Sequence, residues 1–271
     1  MAQTKYTLAE AVRDTVRGRW LHSRSQVTSK GNAMTAVSFF GAACAVADIS
    51  PARLRAYVSY LQRRGLSPST INRKLSALAT VLTEACEAGH IDTVPTIRRQ
   101  REAPAKTRWL TEEEEGNLLR ASDGTPLQYL YAFLIDTGLR IGEALALRPN
   151  DVTVTEVGRG TAHVHDGKGG KQRSIPLSLR ALHSFDISHV FWQGWDYDFV
   201  RNRFDEHVAL AGLEDVTLHT LRHTCASRLA QRGVSLPIIK QWMGHSSIQT
   251  TMRYAHLSTE SLNVALEAIE Q

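Results

Sequence analysis

Four side chains in the last quarter of the sequence could act together on a phosphate ester. The stretch from His219 to His256 contains His219, Arg222, His245 and Tyr254 in that order. A tyrosine of ordinary pKa is only about one part in a thousand ionised at neutral pH, so it needs a base or an electropositive pocket to become a nucleophile. Arginine stays charged and binds phosphate oxygens bidentately. The set therefore predicts phosphoryl transfer with tyrosine as the nucleophile.

These residues belong to three separated motifs. The last motif reads H-T-L-R-H from His219, continues with G-H at 244–245 and ends at Tyr254, nine residues after the histidine. The first, T-G-L-R-I-G-E-A-L-A-L, covers 137–147, and G-K-G-G-K-Q-R-S-I-P-L covers 167–177 between them. Their identity and order closely resemble the tyrosine recombinases, the family of phage integrases and Xer-type recombinases.

The resemblance implies which residues carry the reaction. The catalytic set is Arg140, Lys168, His219, Arg222, His245 and Tyr254, with Glu143 in support. Arg140 and Arg222 would hold the two non-bridging oxygens of the scissile phosphate, and His245 would donate to the same phosphate. Glu143 stands three residues after Arg140, where the two side chains can meet on one helix face.

The family chemistry also implies a proton route and a covalent product. His219 would act as the base on Tyr254, and Lys168 would protonate the departing 5′ oxygen. The product would be a 3′-phosphotyrosine that retains the bond energy. Religation would then need neither ATP nor a metal, and we expect no cofactor. The sequence agrees, because it contains no phosphate-binding glycine loop and no recognised metal motif.

Two pairs of histidines could be considered as metal ligands. His163 and His165 share one strand face, and His219 and His223 are four apart on a predicted helix. Neither pair has a third ligand at a characteristic spacing, so we expect no metal site. His223 is interpreted as a packed, hydrogen-bonded residue beside the site.

Positive charge is concentrated in the first part of the chain. Residues 1–105 contain fifteen Lys and Arg against seven Asp and Glu, and the remaining residues contain seventeen against twenty. A basic surface is typical of a partner with a phosphate backbone, although a solvated basic face would read the same. The site motifs favour double-stranded DNA as the partner.

Composition limits the location of the protein. No run of about 18 apolar residues is present, so no membrane span is expected. The first ten residues are polar and lack the apolar core of a secretory signal. Three scattered cysteines are typical of buried thiols in a reducing compartment, and we expect a bacterial cytoplasmic protein associated with the nucleoid.

Residues 1–90 are predicted to form a compact helical domain. Helices are expected over four stretches with Ser or Thr starts, two of them followed by proline at the first helical position: 7–22, 29–40, 51–65 and 68–89. The domain resembles the SAM-like core-binding domain of the family.

Candidate DNA contacts cluster around the start of the fourth predicted helix, where hydroxyls and cations suit phosphate binding. Each of them alone could equally be a solvated surface residue. The full set across the chain is Lys30, Arg63, Arg64, Ser67, Thr70, Asn72, Arg73, Lys74, Arg99, Arg101, Lys106 and Arg173.

Residues 91–110 are predicted to be a basic interdomain linker. The stretch has two prolines, five cations and no helical periodicity. In the family such a linker lets the two domains clamp the duplex.

Residues 111–257 are predicted to form the catalytic domain. Thr111 and Glu114 form the pattern of a capping box. Between Asp151 and Leu177 the hydrophobic period changes to two, with glycine-rich turns, which predicts a three-stranded antiparallel sheet. The rest is helical. The fold class is therefore mainly α, with a four-helix SAM-like domain and a helical catalytic domain carrying one small sheet.

Residues 258–271 are predicted to form a C-terminal helix with one apolar face. Leu262, Ala265, Leu266 and Ile269 stand at i, i+3, i+4 and i+7. That face could pack on its own domain. By family resemblance it would instead dock on a neighbouring protomer, giving a homotetramer on DNA from a free monomer or weak oligomer.

Four functional readings are compatible with these motifs. The main one is a site-specific recombinase that integrates or excises a phage or mobile element, with accessory DNA-bending or excisionase proteins as possible partners. The alternatives are Xer-like plasmid or chromosome resolution, relaxation of DNA by type IB topoisomerase-like chemistry without strand exchange, and a catalytically silent DNA-binding regulator.

Overall fold

The computed structural model describes residues 5–23, 25–102, 107–155, 158–165, 172–192, 194–257 and 269–270. The chain divides into two compact units, Met1–Ala105 and Lys106–Gln271. Within the described ranges no helix is long and apolar enough to cross a membrane.

The described part of the first unit has four α-helices and a short 3-10 turn at Val46–Asp48. The helices are α1 (Leu8–Arg17), α2 (Gln26–Phe40), α3 (Pro51–Arg63) and α4 (Pro68–Glu87). Their buried faces form one hydrophobic core, in which Leu8, Tyr57, Leu61, Leu78 and Leu82 are fully enclosed.

The helix starts in this unit follow local capping rules. Thr7 and Glu10 form a reciprocal capping box at α1, with Glu10 N donating to Thr7 Oγ1 at 3.2 Å and Thr7 N donating to Glu10 Oε2 at 2.9 Å. Ser50 and Ser67 accept hydrogen bonds from main-chain N–H groups at the starts of α3 and α4, and a proline follows each. These predicted starts are confirmed.

Two predicted helix limits are wrong. The first helix ends at Arg17 instead of His22, because Gly18 leaves the helical conformation and caps it through its N–H to Asp14 O. The second begins at Gln26, three residues before the predicted Ser29.

The described part of the second unit is mainly helical. Its helices are α5 (Glu112–Ala121), α6 (Pro126–Thr137), α7 (Ile141–Leu145), α8 (Leu179–Trp192), α9 (Tyr197–Leu210), α10 (Leu218–Gln231), α11 (Leu236–Met243) and α12 (Ile248–Thr251), with 3-10 turns at Pro149–Asp151 and Met252–Leu257. Buried aromatic rings join α6 to α8, with Phe133 packed against Phe185 and Trp192. The buried face of α8 continues beyond Phe185 to Trp192.

The three-stranded antiparallel sheet is confirmed. Its strands are β1 (Val152–Val154), β2 (Gly160–Val164) and β3 (Arg173–Leu177), in the order β1-β2-β3. In the register, Ala162 of the central strand pairs with Val152 on one side and Ile175 on the other. Alternate residues Ala162, Val164 and Ile175 are buried, which holds β3 and its Arg173 against the helical core.

The predicted C-terminal helix lies almost entirely outside the described residues. Of its four apolar positions, Leu262, Ala265 and Leu266 are not described. Ile269 is described and is 82% exposed.

The turn after α6 depends on a glycine. Gly138 ends the helix in the left-handed conformation with φ of 65°, and a Cβ atom there would stand 2.9 Å from Met243 Sδ and 3.0 Å from Cys225 Sγ. Gly142 in α7 is different, since a Cβ atom there would meet nothing within 4 Å. Position 138 therefore requires glycine, whereas position 142 has room for a larger side chain.

Replacing Gly138 by Ala should destabilise the second unit by about 2–4 kcal/mol, because it combines a strained backbone with overpacking. Gly142→Ala should be neutral or stabilise by up to about 1 kcal/mol, because alanine favours the helix. Urea unfolding of the full chain measures both. Equal effects of the two substitutions would contradict the described turn.

Candidate active site

Helix α10 places three candidate side chains on one face. His219, Arg222 and His223 stand at i, i+3 and i+4, so they lie one turn apart on the same side of the helix. Thr217 caps the helix start by a reciprocal bond with Thr220, whose Oγ1 accepts from Thr217 N at 2.9 Å. Local sequence therefore fixes the start of the helix, and with it the direction of these side chains.

Arg222 is a buried charge, only 2% exposed. Its Nη1 donates to Gly138 O at 2.5 Å, and its Nη2 donates to Met243 O. Burial, together with the positive charge of Arg140, lowers the pKa of Arg222 to about 10. At neutral pH the guanidinium remains charged, and two carbonyl groups hold it in place without neutralising it.

Glu143 joins two further arginines. Its carboxylate accepts from Arg140 N at 2.9 Å and from Arg140 Nη1 at 2.8 Å, and it accepts two bonds from Arg173, at 2.7 and 3.2 Å. Burial alone would raise the pKa of Glu143, but the hydrogen bonds from Arg173 and Arg140 prevail and lower it to about 2. The carboxylate is therefore ionised at every pH near neutrality and orients both guanidinium groups.

Arg173 was predicted as a DNA contact, and in the structure its side chain binds within the second unit. Its side chain is only 10% exposed, binds Glu143 and donates from Nε to Trp242 O at 3.2 Å. The strand position of Arg173 suggested a surface charge. Its burial follows from packing of β3 against α11, which the local pattern does not reveal.

His245 completes the group of polar side chains. Its Nδ1 is 2.9 Å from Thr251 Oγ1. Burial, followed by the nearby charges of Arg222 and Arg140, lowers the pKa of His245 to about 4. The imidazole is therefore neutral at pH 7 and can still donate one hydrogen bond to an anion.

Tyr254 lies in the 3-10 turn Met252–Leu257 and is 1% exposed. Its ring packs in a hydrophobic cluster with Cys225, Ile239 and Met243. Burial raises the pKa of Tyr254 to about 12, although the charges of Arg253 and Arg222 act in the opposite direction. In this position the phenol keeps its proton.

The hydroxyl of Tyr254 contacts His223, which is 2.5 Å away at Nδ1. Burial, the largest cause, and neighbouring His219 and Arg253 lower the pKa of His223 to about 4. In the tautomer of His223 that carries its proton on Nε2, the phenol donates this bond and Nδ1 accepts it. His223 is hydrogen-bonded, as predicted, but the sequence analysis did not predict that its partner is Tyr254. The position of His223 one turn after His219, on the same helix face, could have indicated that it lies in the site.

His219, the predicted base, lies next to His223, with ring centroids 4.7 Å apart in an edge-to-face arrangement. Burial, followed by the charges of Arg222 and Arg140, lowers the pKa of His219. His219 is therefore neutral near pH 7 and able to accept a proton. His223, which packs on His219, is the residue that bonds to the phenol in this conformation.

The other predicted residues fall into three groups. Lys168 and Lys106 lie outside the described residues. The candidates that are exposed on the first unit are Lys30, Arg63, Arg64, Ser67, Arg73, Arg99 and Arg101, whereas Thr70 and Lys74 are half-buried. Lys74 Nζ donates to Thr35 Oγ1 at 3.0 Å, which joins α4 to α2.

Asn72, another predicted DNA contact, is 5% exposed, and its carboxamide makes three hydrogen bonds to Gln100 and Glu102. All three bonds lie within the first unit, and the predicted DNA contact stays a prediction.

No group of three or more His, Cys, Asp or Glu side chains with the arrangement of a metal site occurs within the described ranges. Three guanidinium groups, those of Arg140, Arg173 and Arg222, lie near the carboxylate of Glu143 and give this part of the second unit an excess of positive charge. Such a cluster is suited to an anion.

Comparison with known proteins supports the motif assignments. The phage integrase family model matches residues 108–187 and 195–261, and a phage integrase SAM-like domain model matches residues 17–99. Tyrosine recombinase XerC of Xanthomonas campestris pv. campestris is 30% identical over 244 residues, covering 82% of this chain and 74% of that protein.

Solved structures show the same fold. The Tn1549 transposon integrase, in complex with transposon right end DNA, superposes with a TM-score of 0.80 at 18% identity, covering 98% of this chain and all of that one, 100%. A lambda integrase tetramer bound to a Holliday junction has a TM-score of 0.77 at 19% identity and covers 95% of this chain and 79% of that chain.

The site histidines predict a pH dependence of stability. Their pKa values in the folded chain lie below the unfolded value of about 6.5, reaching about 4 for His223 and His245. The unfolded chain therefore binds more protons between these values. The free energy of unfolding should be highest above about pH 6.5 and fall as the pH drops toward 4. Protonation of Glu143 lowers the free energy of unfolding further, but only at lower pH, as the pH falls toward about 2.

Urea unfolding at a series of pH values measures this loss in the wild type and in a His223→Gln, His245→Gln double variant. The variant should have a shallower dependence in the same window, because it lacks two of the groups that take up protons on unfolding. An unchanged slope would show that the histidines do not cause it.

Proposed function

The chain belongs to the phage integrase family of tyrosine recombinases, and we propose that it cleaves and rejoins duplex DNA at specific sites with Tyr254 as the nucleophile. The observation that supports the proposal is the proximity of Arg140, Arg222 and His245, whose charges act on one another in the same unit as Tyr254. A phosphodiester is the anion that such a cluster and a tyrosine could transform.

The proposed reaction balances as a transesterification. The Tyr254 oxygen forms a bond to phosphorus, and the bond from phosphorus to the 5′ oxygen breaks. The phenolic proton passes to a histidine, and the departing 5′ oxygen takes up a proton from a general acid, for which Lys168 is the candidate. Reversal by a 5′ hydroxyl from another strand then joins the strands without an external energy source.

The two catalytic arginines would have different tasks. Arg222 is fixed by carbonyls from two chain segments, so it offers a preorganised charge to a non-bridging oxygen. Arg140 is 44% exposed at its side chain and is held by Glu143, so it can close on the phosphate from the solvent side. His245, neutral at pH 7, supplies a further hydrogen bond.

Tyr254 would have to move before it reacts. A phenol that is 1% exposed cannot touch a duplex, and its proton is held against His223. We infer that the described arrangement is a resting state, and that DNA binding displaces the 3-10 turn and brings the phenol toward His219 and the arginines. Displacement breaks the bond with His223 and removes the burial that raises the pKa of Tyr254.

The proposed partners follow from the reaction. Two duplexes must be held together for exchange, and a homotetramer on core DNA sites, as in the lambda integrase complex, provides four active sites for four strands. Synapsis of this kind would assemble from free monomers or weak oligomers in the bacterial cytoplasm. Accessory DNA-bending or excisionase proteins would set the direction of the reaction.

A nicked suicide substrate and a strand-exchange assay separate the candidate functions. Covalent trapping without exchange between two marked sites would identify topoisomerase-like relaxation, and absence of trapping would identify a silent regulator. Exchange between an attachment site and a second replicon would identify integration, whereas exchange confined to repeated sites on one circle would identify Xer-like resolution.

Tyr254→Phe should abolish covalent trapping on the suicide substrate while leaving DNA binding unchanged. The substitution removes the attacking oxygen and one hydrogen bond, and we expect stability to change by about 1 kcal/mol or less. Tyr131→Phe is a matched control, because Tyr131 is also buried and also contacts a histidine, with its hydroxyl 3.0 Å from His207 Nδ1. Covalent trapping by Tyr254→Phe would show that Tyr254 is not the nucleophile. Loss of trapping in Tyr131→Phe would show that the assay does not distinguish the two tyrosines.

Glutamine substitutions assign the base. His219→Gln should lower the single-turnover trapping rate by roughly 100-fold or more, the usual effect of losing a general base. His223→Gln should leave this rate unchanged or raise it, because it weakens the contact that holds the phenol in its resting position. A loss with His223→Gln as large as with His219→Gln would make His223 the base.

A further inference from the structure

The arginine-rich segment that follows α4 has a defined path in the first unit. Ile91 and Ile97 pack against the hydrophobic core of that unit. Beyond them, Gln100 N donates to Asn72 Oδ1 at 2.7 Å, and Asn72 Nδ2 donates to Gln100 O at 2.9 Å. Both main-chain polar groups of one residue are therefore bound by one side chain of α4.

This arrangement requires an asparagine. Its carboxamide presents one acceptor and two donors in a plane, as a peptide group does, so it can pair with the N–H and the C=O of the same residue. The second donor of Asn72 reaches Glu102 Oε1 at 2.6 Å. Because Asn72 is 5% exposed, water competes little for these bonds.

A second contact fixes the side chain of Gln100. Gln62, near the end of α3, donates from Nε2 to Gln100 Oε1 at 2.9 Å. Gln100 is thus held by α4 through its main chain and by α3 through its side chain. The end of α3, the start of α4 and the segment 97–102 meet around this residue.

Exposed arginines lie within two residues in sequence of Gln62, Asn72 and Gln100. Arg63 follows Gln62, Arg73 follows Asn72, and three more flank Gln100 on the segment: Arg98, Arg99 and Arg101. Within the part of the chain that the structure describes, none of the five forms a salt bridge with a carboxylate. Glu102, the acidic residue nearest in sequence, binds Asn72 instead.

We propose that Asn72 is a positioning residue for DNA binding. By clamping Gln100, it converts an arginine-rich segment into a preformed phosphate-binding surface that includes the ends of α3 and α4. The inference rests on the proposed function, because DNA is the polyanion it concerns. Without the clamp, the same arginines would have to be ordered at the moment of binding, and each residue ordered then weakens the complex.

Limited trypsin digestion tests the clamp without DNA. In the wild type, the bonds after Arg98, Arg99 and Arg101 should be protected, because the anchored main chain does not enter the protease. In Asn72→Ala, their initial cleavage rate should rise by about tenfold, since local opening no longer breaks three hydrogen bonds. Mass spectrometry of the fragments identifies the bonds, and cleavage after Arg63 in α3 should not change.

Two variants serve as controls. Gln100→Ala removes only the bond to Gln62 and leaves both main-chain bonds to Asn72, so protection should persist. Thr80→Ala removes a half-buried hydroxyl on the same helix that bonds to Ser76 O at 3.1 Å and does not touch the segment. If Asn72→Ala proves unfolded, Gln100→Pro removes the main-chain donor from the other side and takes its place.

Fluorescence polarisation with a short duplex of mixed sequence tests the functional consequence. Asn72→Ala keeps every cation, yet its affinity should fall by about tenfold at equal thermal stability, because the segment must now be ordered on binding. An Arg98→Ala, Arg99→Ala double variant should instead reduce the salt dependence, by about 0.9 in the logarithmic slope for each phosphate that the variant no longer neutralises.

The outcomes are distinct. The proposal is refuted if the segment stays protected from trypsin in Asn72→Ala. It is also refuted if the segment opens but the affinity for DNA does not fall. Covalent trapping in the same preparations reports the proposed function separately. A wild-type chain that binds the duplex but never traps it refutes the tyrosine chemistry, while the tenfold effect of Asn72→Ala would still support the clamp.

Discussion

The second unit depends on one constraint, the placement of the buried guanidinium of Arg222. Both carbonyls that bind it stand at the C-terminal ends of helices, Gly138 O after α6 and Met243 O at the end of α11. A helix C-terminus carries partial negative charge, so these ends stabilise a cation. They do so without a carboxylate, and the positive charge remains available to an incoming anion. Both helices end in a left-handed glycine, Gly138 and Gly244, which lets the chain turn away sharply, and a Cβ atom at Gly244 would stand 2.9 Å from the Arg173 guanidinium.

Positive charges elsewhere in the site are also left partly unneutralised. A carboxylate beside Arg222 would have stabilised it in the free protein, but it would also compete with a phosphate. Glu143 is instead bound to Arg140 and Arg173, and it orients them. The histidines are neutral because burial and the arginines oppose their protonation. The free protein thus holds excess positive charge in a partly buried place, at a cost in stability that a bound anion would relieve.

Features of the fold and the site could be predicted where the residues that determine them are close in sequence, and not where those residues are far apart. The helix starts at Ser50-Pro51 and Ser67-Pro68, and the period-two strands of the sheet, follow from neighbouring residues and were predicted correctly. The partners of Asn72 and Arg173 could not be predicted because they lie about thirty residues away, and only packing brings them together. A polar residue near a helix start looks the same in sequence whether it faces solvent or a returning segment. The three motifs were recognisable because their residue types and order match those of a known family.

Two tyrosine–histidine pairs in the second unit differ in the structure that holds the phenol. Tyr131 lies within α6, a helix of twelve residues, and packs edge-to-face on Phe204. Tyr254 is equally buried, but it lies in a six-residue 3-10 turn that follows a four-residue helix. Such short elements have few main-chain hydrogen bonds, of poorer geometry, so their displacement costs less than the opening of a long helix. Burial keeps the phenol of Tyr254 protonated in this arrangement. The displacement that we propose for Tyr254 would therefore cost less than the same displacement of Tyr131.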